Sequence, residues 1–362
     1  MKIRSITYFL HPGCPLDESE LRQAGDFMAS ARPAFEAAGY SVQTTRLATV
    51  PFPDIMPALT ADRLIEYARA LEEAALALGF EYVSLGPALP DRPESYPLIP
   101  EVIGATRSVF LAGLMTLPEG GVSLRAVRSC AEIIQRASSL TPDGFANLRF
   151  AALANVPPGA PFFPAAYHAK RQPAFALATE AADLAVEAFS QAGSLEQGCN
   201  YLVQTVETHA GLLHQVAQGL SSQFGVDFGG IDFTLAPFPQ EALSFGTAMQ
   251  RLGVPSLGEH GSLAAAAILA DTLDRADYVR VGFNGLMLPV LEDAALAKYA
   301  ALGTLTVRDL LLYSAVCGTG LDTIPLPGDA TSGQLNAILL DLAALAQRLD
   351  KPLTARLMPI PG

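Results

Sequence analysis

Residues 315–329 read AVCGTGLDTIPLPGD and predict a strand between two helices. The apolar centre of this stretch, 321–326, is bounded by glycine and proline, which end regular elements, and glycine also permits close approach to a ligand. Cys317, Asp322 and Asp329 lie within this short unit. The stretch therefore predicts a helix–strand–helix unit with reactive side chains at its turns. The alternative is a tight loop with a buried Cys and two capping Asp residues.

Short apolar strands alternate with helices along the rest of the chain. About ten strands are predicted, at residues 3–10, 41–49, 82–86, 109–114, 148–155, 174–179, 231–236, 278–283, 321–326 and 354–358. Their uniform apolarity indicates burial on both faces, as in the parallel sheets of α/β proteins. No change in composition divides residues 1–362, so we expect a single domain. The pattern favours a closed or nearly closed α/β barrel of about ten strands with helices outside, over an open doubly wound sheet.

Composition and charge limit the classes of partner. The net charge of −13 argues against binding to nucleic acid or to anionic membranes. Four Cys without a C-x-x-C pair indicate neither a disulfide framework nor a zinc knuckle, and favour a reduced cytoplasm. No signal-peptide pattern opens the sequence, and no apolar run is long enough to cross a bilayer. We expect a cytoplasmic homodimer whose partner is a small molecule.

Standard nucleotide-binding and hydrolase motifs are absent from the sequence. It contains no G-x-x-x-x-G-K-[ST], and Gly318-Thr319-Gly320 lacks the third glycine and precedes a strand instead of following one. It contains neither G-x-S-x-G nor H-E-x-x-H. We therefore expect no nucleotide cofactor.

Cys317 and His260 are the predicted catalytic side chains, with Glu259 and Asp322 as acid–base partners. A thiol becomes a nucleophile when a base or a helix N-terminus activates it. His260 directly precedes a predicted helix, and a neutral imidazole can act as a base or ligate a metal. In the alternative interpretation, Asp322, Asp329, Glu259 and His260 hold a divalent metal, although their spacing matches no known ligand pattern.

The predicted ligand-binding residues follow the carboxyl ends of strands, where α/β proteins bind their ligands. Asn155 ends one strand, and the next loop carries a small basic cluster of His168, Lys170 and Arg171. Such a cluster on an acidic protein can hold a carboxylate or a phosphate by charge-assisted hydrogen bonds. The alternative is a solvated turn.

Asp232 and Asn284 complete the predicted ligand site. Asp232 is a carboxylate inside an apolar strand, and a buried charge is costly unless it is paired or ligated. We expect Asn284, together with Asn155, to orient the anion.

Several motifs resemble one known family. They are DFTLAP at 232–237, EHGS at 259–262, PVLEDA at 289–294, the stretch 317–329 and RLMPIPG at 356–362. Together they resemble domain of unknown function 711, also called uncharacterised protein family 0210. Asn155 and the AYH run at 166–168 are similar to a further segment of that family. The resemblance implies a ten-stranded α/β barrel similar to that of pyruvate formate-lyase. It implies no radical chemistry, because the R-V-x-G-Y-type glycyl radical loop is not found.

The chain departs from the family pattern at two places. The family usually shows Cys-Val-Cys where this chain has Ala315-Val316-Cys317, so dithiol chemistry is not expected. Ala169-Lys170-Arg171 replaces a glycine-rich segment, which suggests a different ligand. Two functions remain open. One is an enzyme of lyase or hydrolase type acting on a small anionic metabolite in the barrel mouth. The other is a non-catalytic sensor of an amino-acid-like small molecule.

Overall fold

The structure is a computed structural model that describes residues 1–56 and 58–361. In these residues nine strands form one sheet in the order β7-β6-β1-β2-β3-β4-β5-β9-β8. The strands are β1 Lys2–Leu10, β2 Val42–Thr49, β3 Tyr82–Ala88, β4 Val109–Leu114, β5 Phe150–Ala154, β6 Ala174–Glu180, β7 Asp227–Asp232, β8 Gly320–Pro327 and β9 Leu353–Ile360. The fold is mixed α/β, as the alternation of elements predicts. The last motif residue, Gly362, lies outside the described residues.

The sheet consists of three blocks of parallel strands, and the two outer blocks run opposite to the central one. Strands β1 to β5 are parallel to one another. Strands β6 and β7 are parallel to each other, as are β8 and β9. The blocks join antiparallel, β6 against β1 and β9 against β5. The first residues of β1 to β5 therefore lie at one end of the sheet, together with the last residues of β6 and β9.

One of the ten predicted strands, 278–283, is not a strand in the structure. Segment 279–289 instead makes isolated parallel bridges. Arg280 bridges β7, Leu286 bridges the chain just beyond β7, and Pro289 bridges β8. Positive φ angles interrupt the extended backbone, 78° at Gly282 and 47° at Asn284, so a continuous ladder cannot form. The sheet is thus not closed by a ladder, although one segment contacts both of its outer strands.

Helices connect most of the strands. They are α1 Glu18–Ala37, α2 Phe52–Ile55, α3 Ala61–Ala77, α4 Ile99–Ala105, α5 Leu124–Ala137, α6 Ala182–Gln191, α7 Leu195–Phe224, α8 Phe245–Arg251, α9 Ser262–Asp274, α10 Ala294–Ala301, α11 Val307–Cys317 and α12 Ser332–Leu349. A capping box formed by Thr331 and Gln334 begins α12. Among the described residues, none of the helices has the length and apolarity that a membrane crossing requires.

The two faces of the sheet have different occupants. Large apolar side chains pack on one face with the helices in the main core, as Tyr8 and Leu47 do. The other face carries small residues such as Ala112 and Ala176, which pack against segment 156–168. Small side chains leave room there for a length of chain.

Strand hydroxyls hold segment 156–168 in place. Thr7 Oγ1 donates to the carbonyl of Pro161 at 3.0 Å, and Ser84 Oγ donates to the carbonyl of Ala166 at 2.7 Å. These bonds satisfy buried backbone groups that have no ladder partner, which is the general requirement for irregular chain in a protein interior.

Candidate functional site

A cavity of about 330 Å³ opens at the end of the sheet where β1 to β4 begin. Three arginines line it, Arg4 from β1, Arg46 from β2 and Arg356 from β9, together with the carboxylates Glu292 and Asp322. Three guanidinium groups against two carboxylates give these five side chains a charge of +1. The cavity is therefore positive inside a protein whose net charge is −13.

Arg4 and Arg356 are paired with carboxylates. Arg356 Nε lies 2.6 Å from Asp322 Oδ1, and its Nη2 lies 3.2 Å from Glu292 Oε1. Arg4 Nη2 lies 2.5 Å from Glu292 Oε2, and Arg4 Nη1 lies 3.5 Å from Glu180 Oε2. Burial alone would raise the pKa of Glu292, but the two guanidinium groups hold that pKa below its usual range. Glu292 is therefore ionised near neutral pH.

Arg46 differs from the other two arginines. Its residue is only 7% exposed, and its Nε donates to Thr44 Oγ1 at 2.9 Å. Its guanidinium carbon lies 5.1 Å from the ring centre of Phe163 and 5.9 Å from that of Tyr82. Within residues 1–56 and 58–361, no carboxylate lies within 4.0 Å of this guanidinium. Its terminal N–H groups thus have no anionic partner in a cavity that they line.

Burial sets the charge state of Arg46. Burial, together with repulsion from Arg4, lowers the pKa of the guanidinium to about 9. Arg46 is still a cation at pH 7, and an anion in the cavity would offset the desolvation of that charge.

The predicted residues Asp232 and Asn284 lie together, but their contacts are with the protein. Asp232 accepts hydrogen bonds from Phe283 N at 2.7 Å, Asn284 N at 2.9 Å and Thr234 Oγ1 at 2.5 Å. Asn284 Oδ1 accepts from Phe233 N at 3.0 Å. Burial raises the pKa of Asp232 to about 6, despite these hydrogen bonds. The pair fixes the turn inside segment 279–289.

Asn155 joins the end of β5 to α12. Its Nδ2 donates to the carbonyl of Ala346 at 3.0 Å, and its Oδ1 accepts from Gln347 Nε2 at 2.5 Å. It has a positive φ of 54°, a conformation that Asn adopts more readily than most residues. These contacts give Asn155 a structural position at the start of segment 156–168.

The predicted basic cluster separates into buried and exposed parts. His168 and Lys170 line a second pocket of about 200 Å³. Arg171 is exposed and does not line that pocket. None of the three lines the arginine cavity.

The predicted catalytic residues do not share a pocket. Cys317 is buried at the end of α11, with Sγ 3.8 Å from Thr319 Oγ1. Glu259 and His260 are exposed and line a surface groove of about 560 Å³ that does not include Cys317. Of the four, only Asp322 lines the arginine cavity.

The predicted metal ligands are also dispersed. Asp329 lies exposed in the turn after β8, away from the groove that Glu259 and His260 line and from the cavity that Asp322 lines. In the described part of the chain, no group of three or more His, Cys, Asp or Glu side chains is arranged to hold a metal ion.

Sequence reasoning missed Arg4, Arg46, Arg356 and the pairing of Glu292. Glu292 ends a single 3-10 turn, Val290–Glu292, and its carboxylate pairs with two arginines. A signal was present, because each of the three arginines lies inside an apolar strand. The cost of burying a charge, which identified Asp232, applies equally to them.

Comparison with known proteins gives one family. The family model described as "Uncharacterised ACR (DUF711)" matches residues 1–362. A UPF0210 protein of Pyrobaculum aerophilum is 33% identical over 358 residues, covering 93% of this chain and 78% of that protein. UPF0210 proteins of Pyrobaculum arsenaticum and Acetivibrio thermocellus are 32% and 28% identical. Those two matches cover 91% and 90% of this chain, and 77% and 75% of the respective relatives.

Proposed function

The chain belongs to the uncharacterised DUF711 family, and on that premise we propose that it binds a small organic anion in the cavity around Arg46. One observation carries the proposal: Arg46 is a buried cation that lines a cavity and has no carboxylate partner among residues 1–56 and 58–361. A planar guanidinium offers paired N–H donors that match a carboxylate or a phosphate. A volume of about 330 Å³ is at the small end of the range for ligand pockets, so the anion is a small metabolite.

The surroundings of Arg46 support a fixed orientation of its guanidinium. The rings of Phe163 and Tyr82 lie beside it, and Thr44 accepts from its Nε. A donor group that is already held in place loses less conformational entropy when a ligand binds. The anion therefore approaches the free Nη edge of the group.

Of the two catalytic roles considered, the cavity supports proton transfer by a carboxylate, as in a lyase, better than nucleophilic hydrolysis. Glu292 and Asp322 line the same cavity as Arg46, and an ionised carboxylate can take a proton from a bound substrate. A hydrolase with Cys317 as nucleophile has less support, because that thiol does not line the cavity.

A non-catalytic sensor is the second candidate, and one observation favours it. Both carboxylates of the cavity are bonded to arginines, and these lower the pKa of Glu292, which makes it a weak base. Such pairs suit binding better than proton abstraction. The two candidates differ only in turnover.

We also propose that segment 279–289 takes the position of a tenth strand and completes a ten-stranded α/β barrel. The segment bridges β7 and the chain just beyond β7 on one side and β8 on the other, which supports this arrangement. In that arrangement the arginine cavity lies at the mouth of the barrel.

Calorimetric titration with acetate, succinate and inorganic phosphate tests the binding site. We expect at least one of them to bind the wild-type protein, and Arg46→Met to abolish that binding. Arg136→Met is the matched control, since it removes the same charge from an exposed position on α5. Unchanged binding in Arg46→Met would refute the site. NMR of the bound anion during incubation then separates an enzyme, which consumes it, from a sensor, which does not.

A further inference from the structure

A second pocket lies at the opposite end of the strands from the arginine cavity. Its volume is about 200 Å³, and it lies where β1 ends at Phe9 and β6 begins at Ala174. It shares no lining residue with the arginine cavity. Apart from His168 and Lys170, the side chains that line it are apolar. It is thus an apolar pocket with two polar groups.

His168 is fixed in one tautomer in this pocket. Its Nε2 lies 3.0 Å from the carbonyl oxygen of Gln172, and a carbonyl only accepts, so Nε2 carries the proton. Its backbone N–H donates to Thr49 O at 2.9 Å, and its ring lies 5.9 Å from that of Phe9. Burial lowers the pKa of the imidazole, and Lys170 adds to that shift, so the ring is neutral at pH 7. Nδ1 is therefore a hydrogen-bond acceptor.

Lys170 supplies a positive charge to this pocket. It is exposed at the rim, so its ammonium group keeps its hydration while it faces an entering ligand. The pocket thus offers one cation at the rim, one neutral acceptor and an apolar interior. A complementary ligand carries a carboxylate, a hydroxyl donor and an aliphatic tail.

We propose that this pocket binds a short aliphatic 2-hydroxy acid. The carboxylate lies at Lys170, the hydroxyl donates to His168 Nδ1, and the tail contacts apolar side chains such as Phe9 and Ala176. The site does not depend on the function proposed for Arg46.

The test is calorimetric titration of the full chain with 2-hydroxy acids from three to six carbons. Each added methylene should tighten binding about fourfold, because burying one methylene is worth about 0.8 kcal/mol. The matching acids without the hydroxyl should bind about fivefold more weakly, the usual value of one hydrogen bond. Absence of binding across the series, or binding independent of tail length, would overturn the proposal.

Variants assign the contacts. Lys170→Gln should weaken every member by a similar factor and leave the dependence on tail length unchanged, whereas Arg171→Gln, its exposed neighbour outside the pocket, should change nothing. His168→Phe should remove the preference for the hydroxyl. Equal effects of Lys170→Gln and Arg171→Gln would contradict the site.

A blocking variant tests the apolar part. Gly229 lines the pocket, and a Cβ there would meet only ordinary contacts, with Ala176 Cβ at 3.9 Å. Gly229→Leu should therefore abolish binding of the longer acids, and retained binding would count against the pocket. If this variant does not fold, the exposed Lys170→Gln keeps the test decisive. The titrations are repeated in the Arg46→Met background, where the arginine cavity no longer contributes; binding that keeps its dependence on tail length there belongs to this pocket, and loss of all binding would overturn the proposal.

Discussion

Arg46 is a buried charge whose structural contacts are few. Replacing a buried ion by an apolar side chain of similar length is often neutral or stabilising, whereas breaking a buried pair costs about 3–5 kcal/mol. We therefore predict that, without ligand, the unfolding free energy of Arg46→Met is at most about 1 kcal/mol below that of the wild-type protein. Urea unfolding measures this.

Arg356→Met is the matched comparison, because it leaves Asp322 without its partner and Glu292 with Arg4 alone. We predict that it loses about 3–5 kcal/mol of unfolding free energy. If Arg46→Met loses as much, Arg46 is a structural residue and not a ligand-binding one.

Asp232 gives a pH dependence of stability. Because burial raises its pKa to about 6 in the folded state, above the 3.8 of a free Asp side chain, the folded chain binds more protons between pH 4 and 6 than the unfolded chain does. Its contribution to stability is therefore largest below pH 4 and falls as pH rises to 6. We predict that the stability of the wild-type protein relative to Asp232→Asn falls across that range in urea unfolding. A relative stability that rises with pH would mean that the hydrogen bonds outweigh burial.

Single residues were predictable where one physical argument was decisive. The cost of an unpaired charge identified Asp232, which the structure places in a fully bonded turn. The roles predicted for Cys317 and His260 depended on where distant chain segments meet, and residue type carries no information about that. Arg46 could have been found by the argument that found Asp232.

At the level of elements, segment 279–289 depends on the turn at Gly282. A Cβ there would lie 2.2 Å from Asp232 Oδ2, and φ is 78°. We predict that Gly282→Ala costs about 3 kcal/mol or more, because it combines strain with a clash in the interior. Thermal or urea unfolding measures it.

Gly79 provides the control for that prediction. Its φ is 86°, but a Cβ there would have no atom within 4 Å. Gly79→Ala should therefore cost only the backbone strain, about 1–2 kcal/mol. Equal losses in the two variants would mean that the contact with Asp232 has no effect.

Eight of the predicted strands coincide with strands of the sheet, because apolar runs between helices mark them, whereas a ninth, 231–236, shares only residues 231 and 232 with β7. The tenth run, 278–283, is equally apolar, but positive φ angles break its ladder. Apolarity predicts burial and not backbone conformation, so this difference was not accessible from the sequence pattern.

In the whole molecule, the direction of the strands and the assembly of the site come from the sheet order. Uniform apolarity predicted buried strands but could not predict that β6 runs antiparallel to β1, or β9 antiparallel to β5. The cavity gathers residues from β1, β2, β8 and β9, which are far apart in sequence. Only the sheet order brings them together. The predicted homodimer stays a prediction.

A thermal-shift comparison of the wild-type protein and Arg46→Met against small carboxylates and phosphate tests anion binding in the cavity most directly. At about a hundredfold excess over its dissociation constant, a ligand stabilises by about 2.7 kcal/mol, which is readily seen. We predict that an anion raises the melting temperature of the wild-type protein and leaves that of Arg46→Met unchanged. Equal shifts in both proteins, or no shift with any anion, would contradict a binding site at Arg46.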